Sequence, residues 1–172
     1  PDEPTRSDCM MVMSVNADTG TIKLISLMRD SEVEIEGHGT QKLCHAYSYG
    51  GPELAIKTIT QTFDLNIPDY AAVNFVQMAN LIGEVGGVAI DVSEAERVEA
   101  NKYIKEYYES FDMEPELIEE AGYQHLNGIQ AMTYARIRKG GTGDDWGRVE
   151  RQSIVLEAMF ETVQDKSITE LV

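Results

Sequence analysis

The chain has 172 residues, 42% of them hydrophobic and 26% charged, with a formal net charge of -16. That balance describes a globular chain rather than a disordered one, long enough to bury a core as a single domain without staples. So acidic a surface repels nucleic-acid backbones and anionic membranes, so nucleic acid is not expected as a partner; no apolar run is long enough to span a bilayer. The chain opens at Pro1 without a signal-peptide pattern, and is expected to be a fragment.

In chain order, Arg6-Ser7-Asp8 precedes an apolar run from Cys9 to Val15, too continuous for a one-sided strand and expected to be buried on both faces. Asn16 to Gly20 supplies turn residues and Thr21 to Leu27 a second strand, which together predict a hairpin. Antiparallel pairing would bring Arg6 and Asp8 near Arg29 and Asp30. Val33 and Ile35 alternate with Glu32, Glu34 and Glu36 as in a half-exposed strand, and Gly37 to Gly39 is a turn. The segment Lys42 to Tyr47 leads to Tyr49-Gly50-Gly51, and Pro52 opens a helix that keeps a helical apolar interval to Phe63.

Tyr70 to Phe75 reads as a short strand, followed by a helix over about 76–85, a Gly86-Gly87 break and a strand over 88–92. Ser93 caps a long helix to about Tyr108, with an apolar face of Val98, Tyr103, Ile104 and Tyr107 and with Glu94 and Glu96 at its positive end. Residues 111–120 form an irregular acidic excursion. After the turn at Leu126-Asn127-Gly128, a helix from Ile129 to about Ile137 delivers Arg136 and Arg138. Asp144 or Asp145 then caps a last helix carrying Arg148, Arg151 and Gln152 in its opening turns. The alternation predicts an α/β fold, a central mixed β-sheet flanked by helices.

Four arginines within 134–152 of an acidic chain have two readings. They are solvated charges paired with nearby carboxylates, or they converge as a forked cradle for phosphate. Lys42 divides in the same way between a phosphate contact and a solvated charge. Cys9 and Cys44 lack metal-ligand spacing and read equally as two buried thiols or one bridge. His38, His45 and His125 show no ligand spacing, and Trp146 reads as core or tunnel wall.

These segments, in order, resemble the catalytic domain of the LytR-CpsA-Psr (LCP) family, phosphotransferases of the Gram-positive cell envelope. The matching stretches are Arg6-Ser7-Asp8, Arg29-Asp30, Lys42 to Tyr47 with Tyr49-Gly50-Gly51, Gly86-Gly87-Val88, Leu126-Asn127-Gly128, Tyr134 to Arg138, and Asp145 to Arg148 with Arg151-Gln152. The resemblance implies transfer of a glycopolymer such as teichoic acid or capsule from polyprenyl pyrophosphate to peptidoglycan, with a pyrophosphatase side activity. It also implies an apolar tunnel for the lipid between sheet and helices. Arg29, Arg138 and Asp8 would be catalytic, and Arg6, Arg29, Lys42, Arg136, Arg138, Arg148, Arg151 and Gln152 would bind phosphate.

By the same resemblance Asp8 would bind Mg2+ with a second carboxylate upstream of Pro1, on a first strand that this chain lacks along with its N-terminal membrane anchor. The domain would then work at the extracellular face of the cytoplasmic membrane. Met28 stands where the family commonly has proline, and Cys9 and Cys44 replace Thr and Asn. The missing strand leaves room for a rival expectation, a polyprenyl-phosphate binding module or sensor without turnover. Transcriptional regulation is opposed by the acidic balance.

Overall fold

The computed structural model describes residues 7–139 and 145–165. The chain gathers into two compact units, Pro1–Ala72 and Val73–Val172, each with an apolar core of its own.

In the first unit, β1 (Met10–Asn16) and β2 (Thr21–Leu27) form the expected hairpin, with Met10 opposite Leu27 and Asn16 opposite Thr21. The Asn16 side chain accepts from the amides of Asp18 and Thr19, and Gly20 takes φ 64°, so the tight turn is set locally. The expected burial of β1 on both faces is corrected. Met10, Val12 and Leu27 join the core, whereas Met13 and Val15 are exposed. An apolar run states what a strand tolerates, not how many layers cover it. β3 (Glu32–Ile35) buries Val33 and Ile35 and pairs with β4 (Gly39–Lys42).

Helix α1 (Leu43–Phe63) begins nine residues earlier than Pro52 predicts. Gly50 (φ -147°, ψ 24°) and Gly51 (φ 63°, ψ -157°) kink it, and Pro52 opens the half beyond the kink, so the reading found one half and missed the other. Leu43, Cys44, Ala46, Ala55 and Ile59 carry its buried face.

In the second unit, α2 (Phe75–Glu84) starts on Asn74, whose side chain accepts from the Gln77 amide while Gln77 accepts from Asn74. The strand expected at Tyr70 to Phe75 is absent, since 65–74 is irregular: a short run with strand-forming residues makes no ladder without a partner. β5 (Val88–Val92) pairs antiparallel with β6 (Gly122–Leu126), which was not anticipated. α3 (Glu94–Glu109) follows the Ser93 cap as expected and buries Ala100 and Ile104, although Val98 is exposed. α4 (Gly128–Arg136) and α5 (Asp145–Asp165) complete the core through Ala131, Tyr134, Ala135, Val155 and Ala158. The α/β class holds. In place of one central mixed sheet, the described strands pair antiparallel in twos.

Candidate functional site

The hairpin does for the first unit what its register requires. With Met10 opposite Leu27, extending the ladder by two residues sets Asp8 against Arg29, and Arg29 Nη1 donates to Asp8 Oδ1. Arg29 Nε lies 3.7 Å from Asp30 Oδ2, and Lys42 Nζ donates to Asp30 Oδ1 at 2.7 Å. The amide of Ser31 bonds to the Met28 carbonyl, and the first amides of α1, Leu43 and Cys44, bond to the carbonyls of Ser31 and Arg29. Helix-terminal donors that would otherwise lack partners therefore hold the backbone beneath Arg29. The Arg29 side chain is 19% exposed and that of Asp8 78%, so the cluster opens on the carboxylate side.

Both cysteines are free thiols, Cys44 buried and Cys9 exposed. Although the Cys9 residue reaches solvent, desolvation by the protein around its sulfur, with the Asp8 carboxylate beside it, pushes the thiol up to about 11. His38 stacks on Tyr49 at 4.2 Å, and the buried Nδ1 of His45 has no hydrogen-bond partner among the described residues.

In the second unit, Asn127 caps α4 by the same reciprocal bonding with Gln130. α4 ends on Arg136, a basic residue where the helix dipole favours one. Its guanidinium carbon lies 5.2 Å from the centroid of the Phe75 ring, a cation–π contact. Ile137 leaves the helix at φ -56°, ψ 134°, and Arg138 follows at the surface.

From α5, Arg148 and Arg151 are buried, 4% and 3% exposed. Arg151 Nη2 donates to the Ile137 carbonyl at 2.7 Å and Nη1 to Glu96 Oε1 at 3.4 Å. Tyr134 is buried, and that burial, with the Glu96 carboxylate next, raises its phenol well above the ordinary range. Gln152 is half-buried, and Trp146 is exposed at 70% rather than in a core. Arg6 lies outside the described residues.

Thus Asp8, Arg29, Asp30 and Lys42 are brought together in one unit, and the ends of α4 and α5 in the other. Asp8 offers one hard oxygen donor group, which fits Mg2+ only if water and substrate phosphates complete its shell; among the described residues no three His, Cys, Asp or Glu side chains gather as a metal site. Residues that sequence reasoning missed are Phe75, under Arg136, and Glu96, opposite Arg151. Ser93 and Glu96 were legible as a helix start, but nothing linear joins Glu96 to a residue 55 positions away.

This α/β scaffold has known counterparts. The chain belongs to the LytR_cpsA_psr family, which it matches over residues 2–171. Among individual relatives it is 35% identical over 166 residues to the polyisoprenyl-teichoic acid–peptidoglycan teichoic acid transferase TagU of Halalkalibacterium halodurans, covering 95% of this chain and 50% of that protein. TagV of Bacillus subtilis, named for the same reaction, is 32% identical over 169 residues, covering 94% and 40%. The crystal structure of B. subtilis TagT superposes with a TM-score of 0.80 at 30% identity, covering 94% of this chain and 62% of that one. A structure of TagT with bound octaprenyl pyrophosphate lipid gives 0.78 at 27% identity, covering 98% and 65%. The chain spans about half the length of the curated relatives it matches.

Proposed function

We propose that this chain is the transferase domain of a cell-wall glycopolymer ligase, moving a glycopolymer such as teichoic acid from polyprenyl pyrophosphate to a peptidoglycan hydroxyl. The observation that carries the reading is the concentration of Arg136, Arg138, Arg148 and Arg151 at the adjoining ends of α4 and α5 in a chain of net charge -16. A relative that binds octaprenyl pyrophosphate supports the choice of headgroup.

In this reaction the acceptor hydroxyl gives up its proton to water as its oxygen attacks the phosphorus that bears the glycopolymer. A phosphodiester forms, the bond to the bridging pyrophosphate oxygen breaks, and polyprenyl phosphate leaves with the electron pair. Negative charge grows on that leaving oxygen, and guanidinium groups already in place stabilise it without reorganising. In the second unit Arg138 and Arg148 would take that role, with Arg136 and Gln152 as further phosphate contacts; in the first unit the phosphate-binding candidates are Arg29, Lys42 and Arg6. Asp8 would hold Mg2+, which supplies charge neutralisation at the phosphates when bound. Asp30, steadied by Lys42, orients Arg29. The domain works at the outer face of the cytoplasmic membrane, tethered by an anchor.

Arg29→Ala and Arg138→Ala are expected to lose transfer of lipid-linked polymer by about a hundredfold or more while circular dichroism stays native. Removing Mg2+ with a chelator should slow transfer by the wild type. Normal transfer by both variants would place the site elsewhere. The pairing of Asp8 with Arg29 favours one second reading, a lipid-phosphate binding module whose carboxylate is committed to structure. Binding of polyprenyl pyrophosphate with no phosphate release in the presence of Mg2+ would select it.

A further inference from the structure

We infer that Arg151 is a positioning residue that sets where Arg138 leaves the backbone, acting through a buried strut from Glu96 to the Ile137 carbonyl. The inference deepens the phosphate-binding role given to Arg138 and rests on that reading. Helix α4 stops at Arg136, and the carbonyls of a last helical turn lack intrahelical donors. Arg151 supplies one to Ile137 Oxygen at 2.7 Å, inside the protein. Because the peptide is planar, holding the Ile137 C=O also holds the nitrogen and Cα of Arg138.

The other end of the strut is anchored as firmly. Glu96 Oε1 accepts from Arg151 Nη1 at 3.4 Å, while Oε2 accepts from the Ser93 amide at 3.1 Å and the Ser93 hydroxyl at 2.7 Å. The buried Tyr134 phenol, one turn before Ile137, is raised further by the same carboxylate. Glu96 thus caps α3 and holds Arg151 of α5 at once. Arg151 is 3% exposed with both terminal nitrogens turned into the protein, the posture of a brace and not of a ligand contact. A buried charge that loses its partner is strongly destabilised, so neither member of the pair is expendable to the other.

The test uses Glu96→Gln, which keeps shape and removes charge, and Arg151→Lys, each also in an Arg138→Ala background. Geranylgeranyl pyrophosphate is the calorimetric probe, and hydrogen exchange at the Arg138 and Lys139 amides is read without ligand. Each single variant is expected to weaken probe binding by roughly tenfold and to speed exchange at both amides, since misplacing one contact group carries costs of that order or more. In the Arg138→Ala background neither should weaken binding further, because the residue being positioned is gone.

Equal or tighter binding by Glu96→Gln would mean that Arg151, once released, serves the phosphate directly, and would overturn the inference. So would undiminished loss in the Arg138→Ala background, which marks a general structural effect. If the wild type does not bind the probe, the transferase reading fails. The strut is then judged on exchange alone, and unchanged rates at Arg138 and Lys139 in both variants would refute it.

Discussion

Gly128→Ala is expected to destabilise the protein although alanine is the better helix former. Gly128 opens α4, and a Cβ built there would stand 1.9 Å from the carbonyl oxygen of Ala79, 2.7 Å from its carbon and 3.0 Å from its Cα. These are backbone atoms of α2, so no side chain can swing aside and the two helices must part. Overpacking of this kind costs about 3 kcal/mol, against a helical gain from alanine of roughly 0.5–1 kcal/mol, leaving a net loss of about 2 kcal/mol. For a chain of this size that lowers the melting temperature by about 4–8 °C. Gly83→Ala is the matched control. It lies within α2, its added Cβ would meet nothing within 4 Å, and it should gain about 0.5–1 kcal/mol. Thermal and urea melts followed by circular dichroism read both. A Gly128→Ala variant as stable as wild type, or a Gly83→Ala variant that falls equally, would refute the close-approach argument.

Two further outcomes concern titration. The Tyr134 phenol is raised in the folded state by burial and by Glu96, so between the ordinary value of about 10 and its folded value the unfolded chain ionises first and stability falls as pH rises. Tyr134→Phe should therefore lose less stability than wild type from about pH 10 upward, where parallel curves would remove the claim. With its thiol pushed up to about 11, Cys9 in the folded protein should be alkylated by iodoacetamide at a rate climbing about tenfold per pH unit well past pH 9. A plateau near the ordinary thiol value, about 8.5, would contradict that environment.

Much of the site was legible because its cues are local. The Asn16–Gly20 turn and two apolar runs were enough to predict the hairpin, and the hairpin register alone sets Asp8 against Arg29. Capping is equally local: Ser93 announced α3, and Asn127 followed by Gln130 explains the Leu126-Asn127-Gly128 segment, whose glycine is required by the approach of α2. Errors arose where neighbours decide. Gly50-Gly51 does break the backbone before Pro52 as read, but the helical stretch that precedes the kink, from Leu43, was missed. Tyr70 to Phe75 has strand-forming side chains and no strand beside it.

What the sequence determined by itself was the family, most of the order of helices and strands though not β4, β6 or the first half of α1, and which side chains carry positive charge in an acidic chain. Only tertiary structure divided those charges by role. Arg29 and Arg151 are both arginines in motif segments, yet one pairs with a carboxylate at an open edge while the other is shut between Glu96 and the Ile137 carbonyl. The reason is physical. Burial and long-range pairing depend on which elements pack together, and residues 55 positions apart carry no mark of each other until α3 and α5 meet around α4.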